Sequence, residues 1–203
     1  MRTVGILIFD EVEVLDFTGP YEIFGVAGKQ GGKEGYFKVF TVAETSRISA
    51  RNNLVVIPDY TLSDCPVPDI LLVPGGGGYR PDGTPFGTRR EMNNDKLLAW
   101  LNEMNEKVEL LLSVCTGSLI LAKAGLLEGL AATTHFKAVE QMREVAPNTT
   151  LYPDQRWVDN GRIILSAGVS AGIDMSLYVV AKLLGKQIAN ETAEYIQYDY
   201  WRM

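Results

Sequence analysis

Short runs that are apolar at nearly every position alternate along this chain with longer stretches in which apolar residues recur at helical spacing. Thr3–Phe9, Phe37–Val42, Leu54–Pro58, Ile70–Pro74, Val108–Val114 and Ile163–Ser166 read as strands. Tyr21–Lys29, Asp95–Lys107, Thr116–Ala124, Phe136–Val145, Ile173–Leu184 and Lys186–Tyr200 read as helices. Runs such as "ILIF" and "ELLLSV" carry little polar surface, which suits strands covered on both faces of a sheet. Alternating strand and helix then implies an α/β fold, a doubly wound, mostly parallel sheet with helices on both faces. At 203 residues, without an internal repeat or linker, the chain is expected to form one domain over 1–203. Sites in such folds lie at the carboxyl ends of the strands, so the residues that follow each strand carry the functional argument.

Among these strand ends the segment "VELLLSVCTGSLILAKAGLL" is the most informative. Cys115 stands between a strand and a helix, with small residues two before (Ser113) and two after (Gly117). That is the sulfur counterpart of a nucleophile elbow, whose sharp turn lifts the reactive atom above the sheet edge. A helix N-terminus favours the thiolate; lowering a thiol from about 8.5 to ~5.5 corresponds to about 4 kcal/mol. The bland reading is a small buried residue at a tight turn.

Three other strand ends could meet this cysteine. The first strand runs into "FDEVEVLDFTGP", with Asp10, Glu11, Glu13 and Asp16. Asp16 is preferred because it precedes a Thr-Gly-Pro turn, with Pro20 expected at the first helical position. Beside a thiolate, Asp16 would be held protonated and able to donate a proton. The strand "DILLVP" runs into Gly75–Gly78, where Gly76, Gly77 and Gly78 are candidate backbone donors for developing negative charge. The spacing is neither a P-loop nor a dinucleotide fingerprint, and a plain flexible turn is the alternative. The segment "ILSAGVSAGIDM" brings small residues and Val169 toward the same crevice. His135, the only histidine, is expected to start a helix or pack, and Cys65 in a Pro-rich loop to be an ordinary thiol. Trp100, Trp157 and Trp201 are expected in the core or an interface.

The net charge of −6 provides no basic block for nucleic acid. No stretch approaches the ~18–20 apolar residues of a membrane span, and the N-terminus reads as a strand rather than a signal peptide. A cytoplasmic protein without nucleic-acid or membrane partners is expected. Two cysteines and one histidine cannot form a disulfide scaffold or a closed zinc site, so neither metal nor organic cofactor is expected.

Taken together, "LDFTGPYEIF", "LLVPGGGG", "SVCTGSLILAKAGLLEGLAATTHF" and "RWVDNGRIILSAGVSAGIDM" resemble the ThiJ/PfpI superfamily, related to class I glutamine amidotransferase domains. The resemblance covers nearly the whole chain and implies a flavodoxin-like sandwich, a homodimer and a cysteine at the elbow. PfpI-type peptidases carry Cys-His-Gly at the elbow, whereas this chain has Cys115-Thr116-Gly117, which argues against a peptidase. The Cys-Thr-Gly elbow and the Asp-x-Thr-Gly-Pro segment look like those of the isonitrile hydratases. That likeness implies a small-molecule substrate, Cys115 and Asp16 as the essential pair, and Thr116 as a supporting residue. A glyoxalase-like enzyme on reactive carbonyls and a cysteine-based redox or ligand sensor are the alternatives. The same segments resemble the N-terminal domains of AraC-type regulators; with the sequence ending at Met203, a helix-turn-helix domain is not expected.

Overall fold

The computed structural model describes residues 1–29 and 34–201. Its main sheet contains β1 (Arg2–Leu7), β2 (Phe37–Ala43), β3 (Tyr60–Thr61), β4 (Ile70–Val73), β5 (Leu110–Val114), β6 (Trp157–Asp159) and β7 (Ile163–Ser166). The spatial order is β6-β7-β5-β4-β1-β2-β3. Every pairing is parallel except that of β6 with β7. The strands β4, β5 and β7 are buried at every position, as expected of apolar runs covered by helices on both sides. This is a flavodoxin-like α/β arrangement, a mostly parallel sheet flanked by helices.

The helices are α1 (Val14–Val26), α2 (Thr88–Glu91), α3 (Asp95–Asn105), α4 (Gly117–Lys123), α5 (Val139–Val145), α6 (Ala171–Leu184) and α7 (Lys186–Tyr195). Some of the expected elements change: the helix expected over Phe136–Val145 divides into a short turn at Phe136–Ala138 and α5, and the one expected over Lys186–Tyr200 ends at Tyr195. The helix expected to begin at Tyr21 starts at Val14, so Pro20 lies inside it and Asp16 in its first turn, not in a loop before a Thr-Gly-Pro turn. Pro20 has no N–H to offer the Asp16 carbonyl, yet packing keeps the turn helical: Phe17, Gly19, Pro20, Ile23 and Phe24 are all buried. At Gly19 an added Cβ would lie 3.0 Å from Ile173 of α6, so glycine permits the close crossing of the two helices. The expected strand Leu54–Pro58 shrinks to Val55–Val56, which pairs antiparallel with Ile48–Ser49 outside the main sheet. Leu54, Val55 and Ile57 face water, Ile57 being 77% exposed, and only Val56 packs against the core, so an apolar run there did not signal a core strand.

Among the elements that were not expected, β3 (Tyr60–Thr61) closes one edge of the main sheet and two others are hairpins. Strand β6 joins β7 through Gly161-Arg162, a two-residue turn in which the Asn160 N–H donates to the Ile163 carbonyl and Gly161 takes the first central position at φ 87°. A second hairpin pairs Gly77–Tyr79 with Pro85–Gly87 and leads into α2. Trp100 and Trp201 are buried and Trp157 is half-buried against Tyr178.

The strand order reverses between β1 and β4, which opens a crevice at their carboxyl ends. Close packing there is enforced at Gly117, where an added Cβ would lie 2.1 Å from the Val73 carbonyl oxygen. Because that oxygen is backbone and cannot rotate away, Gly117→Ala is expected to lower stability by about 2 kcal/mol or more. Urea titration of the purified variant against the parent measures it; an unchanged midpoint would contradict the close contact.

Candidate functional site

Four neighbouring strands deliver the site. The ends of β7, β5 and β4 lead to Val169, to Cys115 and Thr116, and to Gly75 and Gly76, while β1 leads through Glu13 to Asp16. Cys115 has φ 58°, the left-handed conformation expected of a nucleophile elbow and costly for a residue with a Cβ. The cost is met by bonds on both sides of the residue. Its N–H is shared between the carbonyls of Ser166 and Ala167, at 3.2 and 3.1 Å. Its carbonyl accepts from the hydroxyls of Ser118 (3.0 Å) and Thr134 (3.1 Å), both buried.

Cys115 is buried, 5% exposed as a residue. Its neighbours are the Asp16 carboxyl and the backbone N–H groups of Val169 and Thr116. Asp16 is fully buried. One of its oxygens, Oδ2, accepts from the Gly75 N–H at 3.0 Å; the other, Oδ1, has no hydrogen-bond partner that satisfies ordinary geometry among the described residues. Burial pushes the Asp16 carboxyl up to about 7, against the pull of the Gly75 N–H, and Glu13 raises it further.

The thiol behaves differently from the expectation of a lowered value. Burial first, then the Asp16 charge, push Cys115 up to about 12, and the N–H groups of Val169 and Thr116 offset only part of this. One donor before α4 and one before α6 thus do not overcome desolvation and a neighbouring carboxylate. Near neutral pH the acid and the thiol hold between one and two protons, and the proton that remains once Asp16 ionises stays on sulfur.

The other acids of the loop are engaged elsewhere. Asp10 accepts from the Ser49 N–H at 2.7 Å, Glu11 binds Arg80 and Arg90, and Glu13 pairs with Arg51 at 3.4 Å. Glu11 and Glu13 therefore face arginines and Asp10 caps the backbone of a neighbouring strand.

Thr116 Oγ1 accepts from the Gly76 N–H at 3.0 Å and lies 3.0 Å from the Thr88 hydroxyl. Gly75 is forced to be glycine, since a Cβ there would stand 2.5 Å from the Thr116 nitrogen and 3.0 Å from Asp16 Oδ2. Gly76 has φ 123° and its N–H is occupied by Thr116. Gly77 and Gly78 pair with Gly87 and Phe86 in the hairpin. The N–H groups directed at the sulfur are accordingly those of Thr116 and Val169, and Val169 is held at φ 39°, a strained setting for a β-branched residue.

His135 caps the short turn Phe136–Ala138, its Nδ1 accepting from the Lys137 N–H at 3.2 Å, and its ring fills the space a Gly168 side chain would need. Burial holds it below the usual histidine range, assisted by Lys137 and Arg89. Cys65 is half-buried, donates to the Pro66 carbonyl at 3.3 Å and is pushed up to about 11 by burial. Thr88, Ser118 and Thr134 were not singled out in the sequence. Isolated hydroxyl residues have no local pattern that marks them as braces of a remote turn. Among the described residues no group of three or more metal-ligating side chains is assembled, and no helix is long and apolar enough to cross a membrane.

Residues 2–182 match the DJ-1/PfpI family. Isonitrile hydratase of Pseudomonas putida is 31% identical over 196 residues, spanning 96% of this chain and 75% of that protein. The HTH-type transcriptional regulator GbdR of Pseudomonas aeruginosa (strain UCBPP-PA14) is 24% identical over 198 residues; this chain spans about half of it, 51%. Among solved structures, a THiJ/PfpI family protein from Pseudomonas syringae superposes with a TM-score of 0.82 at 28% identity, covering 98% of this chain and 75% of that one. Drosophila melanogaster DJ-1beta gives 0.78 at 20% identity, covering 98% and 99%, a likeness of fold alone.

The raised carboxyl has a consequence for stability. Between about pH 4 and 7 folded Asp16 keeps a proton that the unfolded chain has released, so stability falls as pH rises through that window. The loss reaches up to roughly 4 kcal/mol above pH 7. Asp16→Asn is expected to remove this dependence and make the protein more stable than the parent at pH 8, with little difference near pH 4. Urea unfolding at the two pH values checks it; a variant less stable than the parent at pH 8 would refute the buried-acid description.

Proposed function

The chain belongs to the DJ-1/PfpI family, and on that premise we propose that it is a cysteine-dependent enzyme that hydrates an isonitrile, R–N≡C, to the N-substituted formamide. The observation that carries this reading is a buried carboxyl set against a buried thiol, with two backbone N–H groups directed at the sulfur. The similarity to the isonitrile hydratase of P. putida supports it.

With Asp16 ionised and Cys115 neutral, the pair holds one proton. As the sulfur adds to the terminal isonitrile carbon, Asp16 takes the thiol proton and returns it to that carbon. A C–S and a C–H bond have then formed, giving the thioimidate R–N=CH–S–Cys115. Water adds to the same carbon while Asp16 accepts its proton and passes it to nitrogen. Collapse of the adduct forms the formamide C=O and breaks the C–S bond, and the hydroxyl proton returns through Asp16 to sulfur. This route uses Asp16 as base first, which removes the need for a standing thiolate. The N–H groups of Val169 and Thr116 steady charge on sulfur as it arrives and leaves. Thr116 holds Gly76 in place, and the Gly76–Gly78 run with Val169 borders the substrate. An oxidation sensor requires an accessible thiolate; a shielded sulfur with a raised pKa weighs against that alternative. We further infer a homodimer, which sedimentation of the purified protein tests.

Purified protein with cyclohexyl isonitrile is expected to release N-cyclohexylformamide, followed by chromatography. Cys115→Ala should abolish turnover and Asp16→Asn lower it by roughly 10²–10⁴-fold with the fold intact. In the parent, turnover should rise with pH as Asp16 loses its proton near 7 and then hold. No formamide from a panel of alkyl and aryl isonitriles, alongside turnover of methylglyoxal, would replace the hydration reading with a carbonyl chemistry at the same cysteine.

A further inference from the structure

The rim of the crevice carries an arginine without a counter-charge. Arg89 follows Thr88, whose hydroxyl meets Thr116 beside the nucleophile. It is half-buried, and its Nε donates to Gln141 Oε1 at 3.1 Å. Gln141 is itself steadied by donating to the Tyr79 hydroxyl at 3.3 Å. The guanidinium is thus held by one nitrogen at a fixed angle, which leaves its Nη fork without a carboxylate among the described residues.

Its neighbours are treated differently. Arg51 sits on Glu13, Arg80 on Glu11, Arg90 on both Glu11 and Glu91, and Arg156 on Asp174. Arg47 and Arg162 also lack an acid partner among the described residues, but Arg47 is exposed to water and Arg162 is spent on the Asn105 and Val108 carbonyls; in a chain of net charge −6 the scarcity of acids cannot explain a half-buried fork left without an acceptor. Burial opposes the charge on Arg89, and the groups that favour it are Tyr79 and the Cys115 sulfur. A partly dehydrated cation without a counter-ion is unfavourable until an anion arrives, and a planar fork matches the two oxygens of a carboxylate.

We propose that Arg89 receives a carboxylate of the substrate, so that the preferred substrates are electrophiles bearing a carboxylate close to the carbon attacked by Cys115. The inference rests on the reading of Cys115 as the nucleophile. Within the hydration chemistry above, the substrate class is an α-isocyano carboxylate. Addition of water to its isonitrile carbon yields an N-formyl amino acid, so a deformylating hydrolysis is the class of reaction able to consume the product.

Alkylation of Cys115 tests the anion site without reference to turnover. Iodoacetate and iodoacetamide both form a C–S bond as the C–I bond breaks and iodide leaves, with the thiol proton passing to Asp16. They differ in presenting a carboxylate or a neutral amide. Peptide mass spectrometry follows Cys115, with Cys65 in the same molecule as the internal reference. Relative to Cys65, the iodoacetate-to-iodoacetamide rate ratio at Cys115 is expected to be higher by about tenfold or more, the scale of one charge-assisted contact. Arg89→Gln should bring the ratio down to that of Cys65, and Arg89→Lys, which keeps the charge without the fork, should fall between. Propionate should slow iodoacetamide at Cys115 of the parent and leave Cys65 unaffected. Should Arg89→Gln not fold, the parent's ratio and the propionate protection remain decisive. Equal ratios at the two cysteines, with no protection by propionate, would overturn the proposal. Failure of isonitrile turnover together with a preserved iodoacetate preference would remove the hydration reading and leave the carboxylate site standing. Turnover of neutral isonitriles without any anion preference would do the reverse.

Discussion

A carboxylic acid and a thiol share one dehydrated space in this protein, and the arrangement around them follows from that proximity. Neither group ionises at its ordinary value: burial raises both, and ionisation of Asp16 raises Cys115 further. No ion pair relieves Asp16 among the described residues, so its one firm bond is the Gly75 N–H. The pair therefore behaves as a proton-holding unit, with affinity belonging to both groups together. On the proposed function, that unit lets a buried thiol serve as nucleophile, since the group that would take its proton is already in contact.

The scaffold keeps this unit in register through backbone contacts. Gly75 and Gly117 lie where a side chain would strike the elbow's own backbone or that of β4, and Thr116 ties the glycine run to Thr88. The elbow carbonyl is held by Ser118 and Thr134, and the elbow N–H by the end of β7. Each brace comes from a different element, so left-handed Cys115 is over-determined by its surroundings in the way strained functional residues require.

The strand ends and the elbow were legible in the sequence because both leave local patterns: apolar runs without a polar face, and small residues two positions either side of Cys115. The strands Ile70–Val73, Leu110–Val114 and Ile163–Ser166 lie within or match the runs that predict them. The start of α1 was not legible, because Pro20 ordinarily marks a first turn and only burial against α6 carries the helix through it. The stretch around Val55 misled for the opposite reason, as β-branched residues describe a strand without saying whether anything covers it. The Gly161-Arg162 turn leaves a single glycine as its local mark, and the three-residue strand Trp157–Asp159 before it carries no apolar run. At the site, the raised thiol was hidden from sequence because desolvation depends on what packs above the sulfur. The hydroxyl braces and the unpaired Arg89 were hidden because they depend on side chains brought together by folding.

The glycine-lined floor also bears on how such a molecule can diverge. Gly75, Gly76 and Gly117 meet backbone within 2.5 Å of any added Cβ, so no side chain can be introduced there without moving a strand. The rim is made of side chains, Tyr79, Arg89 and Gln141, held to one another by single hydrogen bonds. Change by substitution therefore meets an immobile part and a replaceable part: the floor around the sulfur admits no added side chain, while the rim can be altered one residue at a time.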